Sequence, residues 1–210
     1  MAADKVIYLD NNATTQVAPE VVEAMMPYLT EFYGNPSSMH SFGGHVGRDI
    51  RDARSRVAEL LHASPEEIVF TSCGTESDNL ALRGVAFQQA EKGKKHLITS
   101  SIEHHAISHT VEQLEKKFGF EATFLPVDRH GMVDPDDIAR AIRDDTAIVS
   151  IMAANNEIGV LQPAVSPPGF SLEASLETIV ARANEEMEEG VRCVAALIYD
   201  HQGQPAAAIS

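Results

Sequence analysis

Phe70-Thr71-Ser72-Cys73-Gly74-Thr75-Glu76-Ser77-Asp78-Asn79 joins an apolar run to a helical pattern through a small, hydroxyl-rich turn. Ile68, Val69 and Phe70 have strand character, and from Glu76 onward Leu80, Leu82, Val85 and Phe87 fall at helical spacing. A strand, a turn and a helix N-terminus are therefore predicted in that order. The first N–H groups of a helix have no partner inside it, and the helix dipole adds partial positive charge there. Gly74 and Thr75 then offer a cradle for an anion such as a phosphate, with Ser72 and Thr75 hydroxyls as further donors. The plainer alternative is that Ser72 or Thr75 is only an N-cap, with Glu76 and Asp78 favouring the first turn.

Upstream of this junction, Val6 to Leu9 is predicted as a short strand, and Pro19 as a first-turn residue of a helix carrying Val22, Met25, Met26 and Leu29. Gly34-Asn35-Pro36-Ser37-Ser38 interrupts that pattern, and a second amphipathic helix follows from Gly44 to Leu61. Downstream, strands and helices alternate: His96 to Thr99, a helix from Ala106 to Phe118, Ala122 to Val127, a helix from Asp134 to Ile142, and Ala147 to Met152. Such alternation predicts an α/β domain with a mostly parallel sheet, in which ligands bind beyond the carboxyl ends of the strands.

With 44% hydrophobic and 22% charged residues, the 210-residue chain has the composition of a globular domain with a sizeable core. A net charge of −15 and the lack of a Lys/Arg run argue against binding to a nucleic-acid backbone. No apolar run is long enough to cross a bilayer, and the N-terminus lacks a signal-peptide pattern, so no membrane association and a cytoplasmic location are expected. Cys73 and Cys193 stand far apart and imply neither a disulfide framework nor a CxxC metal site. His105 and His109 share a helix face at i, i+4, but a third ligand at suitable spacing is missing, so solvent-facing imidazoles are expected rather than a metal site.

Four motifs occur in order around the cradle: Leu9-Asp10-Asn11-Asn12-Ala13-Thr14-Thr15, Tyr33-Gly34-Asn35-Pro36-Ser37-Ser38, Glu103-His104, and Ala153-Ala154-Asn155-Asn156-Glu157-Ile158-Gly159-Val160. Over about residues 5–163 the chain thereby resembles the cysteine desulfurases of the class V aminotransferase group, enzymes dependent on pyridoxal 5′-phosphate (PLP). The resemblance implies an incomplete three-layer large domain of the fold type I PLP transferases. Gly74 and Thr75 would hold the cofactor phosphate. His104 would stack on its ring and take part in proton transfer, and Asn156 would bind its ring oxygen and help hold the substrate carboxylate. Asn155 would shape the turn with Gly159. Cys73 matches a cradle position that is usually small, which implies packing rather than catalysis. By the same resemblance the substrate is L-cysteine, converted to L-alanine with transfer of sulfur to acceptor proteins for iron–sulfur clusters, and the usual assembly is a homodimer.

The family's cofactor-binding lysine, the aspartate beneath the ring and the sulfur-accepting cysteine loop have no counterpart here, and no lysine follows Lys117. Ala164 to Ser171 reads as a linker rich in Pro, Ser and Gly. Residues 172–210 predict an amphipathic helix and then a β-hairpin. That tail resembles part of the effector-binding domain of IclR-type regulators, in which Cys193 and Ser210 would line a small-acid pocket. A truncated, inactive desulfurase-like chain is the leading expectation, and a non-catalytic phosphate-binding or regulatory module is the alternative.

Overall fold

A computed structural model of the chain describes residues 7–11, 13–61 and 63–163, with the strands Ala195–Tyr199 and Pro205–Ile209. The predicted tail helix, Cys193 and Ser210 lie outside the described residues. The chain divides into two compact units, the first spanning residues up to 69 and the second running from 70 to 163 with the two late strands.

In the first unit, Pro19 occupies the opening turn of helix α1 (Pro19–Thr30), where its missing N–H costs nothing. Helix α2 (Ser41–Leu60) is capped by His40, whose ring accepts from the Gly43 N–H at 3.2 Å. The Gly34 to Ser38 loop rests on its first turn. A Cβ at Gly43 would stand 2.2 Å from the Asn35 carbonyl oxygen, so only glycine permits that approach. The Tyr28 hydroxyl donates to Asp49 at 2.9 Å and ties the two helices together.

The strands predicted at Val6 to Leu9 and at Ile68 to Phe70 do not form over the described residues: residues 7–10 and 68–70 are irregular and lie outside the sheet. Both segments have apolar, β-prone side chains, but a strand exists only where a ladder partner takes up its N–H and C=O groups. Val69 is consequently 64% exposed.

The second unit contains α3 (Gly74–Ala90), β1 (His96–Ser100), α4 (His105–Phe118), β2 (Glu121–Leu125), α5 (Pro135–Ala141), β3 (Thr146–Ser150), β4 (Ala195–Tyr199) and β5 (Pro205–Ile209). The sheet order is β2-β1-β3-β4-β5. Strand β1 pairs in parallel with both β2 and β3, as the alternation of elements requires, and β4 joins β3 antiparallel through Val149 and Tyr199. β4 and β5 form the predicted hairpin.

All five residues of β1 are buried, which is expected of a parallel strand covered on both faces. Leu97 packs with Leu82, Ala86, Val111 and Leu114, side chains of α3 and α4. Its neighbour Ile98 packs on the other face with Leu125, Val133 and Ile138. Side chains alternate across a strand, so these two clusters define three layers: α3 and α4, the sheet, and α5. The buried stripe of α3 is Ser77, Leu82, Ala86 and Gln89; Leu80 is exposed, correcting one position of the predicted apolar face, and half-exposed Phe87 packs edge-on against Phe118 and Phe120. Helix α4 ends at Gly119, which takes φ +71° and donates to the Leu114 carbonyl.

Candidate functional site

The site residues gather where β1 and β3 end and α3 and α4 begin. At the start of α3 the N-cap is Cys73, not Ser72 or Thr75, and its side chain caps nothing. The first bond into the helix runs from the Ser77 N–H to the Cys73 carbonyl at 3.1 Å, so the Gly74, Thr75 and Glu76 amides precede the helical ladder. Cys73 is exposed, which corrects its expected packing role. Glu76 folds back on the turn, and its carboxylate accepts from the Ser72 amide at 2.7 Å and the Ser72 hydroxyl at 2.6 Å. Those bonds, the hydroxyl first, hold its carboxyl below the ordinary range.

His104 is the N-cap of α4, and its Nδ1 accepts from the Ala106 amide at 3.1 Å. A ring nitrogen that accepts carries no proton, so the neutral imidazole keeps its hydrogen on Nε2. The ring itself is exposed. The following His105 and His109 are exposed and stack on each other at 4.8 Å, and no group of three metal-binding side chains occurs among the described residues.

After β3, the chain turns through Asn155 to Gly159. Buried Asn155 shapes that turn: its Oδ1 accepts from the Glu157 and Ile158 amides at 2.9 and 3.0 Å. Its side-chain amide donates to the Ile102 carbonyl at 3.0 Å, across to the loop before α4. Asn156 is exposed. Between the two loops lies a cavity of about 270 Å³, with Ile102, Glu103, His104, Asn155, Asn156 and Ile158 in its wall.

Gly74 and Thr75 are not part of that wall, yet the α3 turn is tied to the same end of the sheet. The Asn79 amide donates to the carbonyls of Thr75 at 2.9 Å and Ala106 at 3.4 Å, while its Oδ1 accepts from the Thr110 hydroxyl at 2.8 Å. One side chain thus links the first turns of α3 and α4. Asp78, next to it, is not a free surface acid as its sequence position suggests. Partial burial raises its carboxyl, and the nearby His104 ring pulls it back.

The sequence motif Glu103-His104 directs attention to the histidine, but the structure makes the glutamate equally notable. Glu103 Oε1 accepts from the Ser100 hydroxyl at 2.7 Å and from the Met152 amide at 2.8 Å. Burial raises its carboxyl to about 7, with those two bonds opposing the shift and Asp78 adding a smaller push in the same direction. The available signal was an acid set three residues beyond the serine that ends β1.

The aminotransferase class-V family profile matches residues 7–166, and the C-terminal region of bacterial IclR transcriptional regulators matches residues 170–210. Among curated proteins, a cysteine desulfurase IscS of Methanosarcina thermophila is 58% identical over 160 residues, which are 76% of this chain and 39% of that protein. A cysteine desulfurase IscS of Dictyoglomus turgidum is 54% identical over 157 residues, covering 75% of this chain and 39% of the relative. The chain therefore spans about two-fifths of the length of these relatives. Among solved structures, a NifS-like protein aligns with a TM-score of 0.71 and 35% identity, covering 93% of this chain and 59% of its own. SspA in complex with cysteine aligns with a TM-score of 0.68 and 38% identity, over 83% of this chain and 46% of its own. No helix among the described residues is long and apolar enough to cross a membrane. A family match over most of the chain, on a fold with the same parallel sheet, has one reading: the chain belongs to the aminotransferase class-V family.

Proposed function

We propose that this chain carries the cofactor-recognising part of a cysteine desulfurase: a surface that binds PLP reversibly through its phosphate and its ring, in a protein whose full-length relatives act on L-cysteine. The carrying observation is the Asn79 bridge, which holds the uncapped start of α3 beside the start of α4 at the carboxyl end of the sheet. The donor set fits a phosphorylated aromatic ring. The Gly74 and Thr75 amides and the Thr75 hydroxyl suit the phosphate, the exposed His104 ring offers a flat face, and Asn156 at the cavity rim can donate to a ring oxygen or a substrate carboxylate.

The same set does not fit covalent attachment. Lys92, Lys94 and Lys95 follow the far end of α3, a helix of 17 residues and hence roughly 25 Å long. Lys116 and Lys117 occupy the last turn of α4. PLP, when bound, supplies an electron sink. This chain's residues bind and orient: His104 donates from Nε2 while its Nδ1 is engaged as a cap, and Asn155 keeps the adjoining turn closed. Residues 1–163 would then be part of the large domain, 164–171 a linker and 172–210 an appended segment. The cytoplasmic location, homodimer and sulfur acceptors of the family belong to the same proposal.

A second reading is a non-catalytic ligand-binding or regulatory module. The match of residues 170–210 to a regulator's C-terminal region favours it, with Cys193 and Ser210 as its effector residues. One titration tests the first proposal. Adding PLP to the purified chain should give a saturable, dialysable spectral change that Thr75→Ala weakens about threefold to tenfold, with no borohydride-trapped adduct on a lysine. Saturation unaffected by Thr75→Ala, or a trapped adduct at one specific lysine, would refute it.

A further inference from the structure

We propose that Glu103 is the positioning residue of this site: its carboxyl clamps the loop that carries His104 to the loop that carries Asn156, and so fixes the His104 ring at the cavity. This rests on the proposal that the cavity receives the cofactor ring. Ser100 ends β1 and Met152 follows β3, and a single oxygen of Glu103 accepts from both, at 2.7 and 2.8 Å. His104 is the next residue. Its carbonyl accepts from the Ile107 and Ser108 amides, and its Nδ1 accepts from Ala106, so its backbone and ring are set by the same few torsions that Glu103 restrains. On the other side of Glu103, the Ile102 carbonyl accepts from Asn155. The segment 102–104 is thus held to residues 152–155 at two adjacent points, and only the Glu103 point also reaches β1.

The groups facing Glu103 explain why an acid can sit there. Asp78 from α3 repels a second negative charge and the site is withdrawn from water, so the neutral carboxyl is the form that both conditions favour. An amide oxygen in the same place can accept the same two bonds, whereas a side chain one methylene shorter cannot reach both donors.

The test uses the full chain with Glu103→Ala, Glu103→Gln and Glu103→Asp, each alone, and Glu103→Ala combined with His104→Ala. Nitrogen NMR of the His104 ring and the Ala106 amide, recorded without cofactor, reads the positioning directly. Glu103→Gln should keep the accepting Nδ1 signature, and Glu103→Ala should move both ring nitrogens toward averaged values. Glu103→Asp should behave like Glu103→Ala and serves in its place should the alanine variant unfold. In PLP titrations, Glu103→Ala should lose about tenfold in affinity and Glu103→Gln about twofold or less, while inorganic phosphate binding at the α3 turn stays unchanged. The loss in the double variant should equal that of His104→Ala alone. Unmoved His104 nitrogens in both Glu103→Ala and Glu103→Asp, or losses that multiply in the double variant, would overturn the assignment. A wild-type chain that ignores PLP, with His104 nitrogens that still move in Glu103→Ala, would refute the cofactor proposal and leave the clamp standing.

Discussion

Replacing Glu103 by glutamine should make the protein more stable, and only at high pH. The Glu103 carboxyl is raised from an ordinary 4.5 to about 7, chiefly by burial. Between these values the folded state holds a proton that the unfolded state has released. Stability therefore falls as pH rises, starting near 4.5 and ending above 7. A tenfold change in proton affinity corresponds to about 1.4 kcal/mol, so ionising Glu103 in the folded chain costs on the order of 3 kcal/mol. Glutamine is neutral throughout and keeps an oxygen for Ser100 and Met152. Urea unfolding followed by circular dichroism, since the chain has no tryptophan, should give nearly equal midpoints near pH 4 and a variant more stable by about 3 kcal/mol near pH 8.5. Comparing the two proteins cancels the titrating groups that do not act on Glu103, and of those that do Asp78 adds only a smaller push. Parallel curves for wild type and Glu103→Gln from pH 5 to pH 9 would refute the reasoning, because a carboxyl in water makes no such difference.

His96 should dominate the acid side in the Glu103→Gln background. It is 1% exposed between the Thr146 and Thr123 hydroxyls at 2.9 and 2.8 Å, and burial first, then Arg143, hold it below 6.5 against Asp145 and Glu121. The unfolded chain takes up that proton first, so stability is complete above about 6.5 and declines as pH falls; His96→Gln should flatten this limb in urea titrations at pH 5 to 7. Leu114, fully buried against Leu97 and Val111, should cost about 2–5 kcal/mol when cut to alanine, measured at neutral pH. A chain ending at Pro163 lacks β4 and leaves the β3 edge unpaired, and should form larger, concentration-dependent species on size-exclusion chromatography than the full chain does.

The parallel core was legible because its signals are local. His96 to Ser100, Glu121 to Leu125 and Thr146 to Ser150 are short segments with β-branched or aromatic residues, separated by helices with clear stops, such as Gly119. The failures at Ile7 to Leu9 and Ile68 to Phe70 have one cause. Propensity belongs to a segment, but a strand belongs to a pair, and the partner is not written in the segment itself. The cradle turn was legible from Gly74 and Thr75, and the family motifs named His104 and Asn156. Glu103 and Asp78 were not, because a carboxyl's burial depends on loops far apart in sequence: Met152 stands 49 residues from Glu103.

The placement of these groups also separates recognition from chemistry within the fold. Every proposed cofactor contact comes from residues 74–156, at the carboxyl end of a sheet whose strands and covering helices fall in one compact unit. The lysines of that unit stand at the opposite ends of α3 and α4, where α3 and α4 run out and the chain enters β1 and β2. A helix N-terminus favours an anion and a C-terminus favours a cation, so each group occupies the end that its charge prefers. The polarity that makes the start of α3 a phosphate cradle therefore keeps these lysines away from it. Glu76 sharpens the point: its carboxylate already takes both Ser72 donors, and an incoming phosphate is left with the Gly74 and Thr75 amides and the Thr75 hydroxyl. Affinity built on those donors and one histidine face is reversible by construction, and covalent capture would require a lysine brought from outside this set.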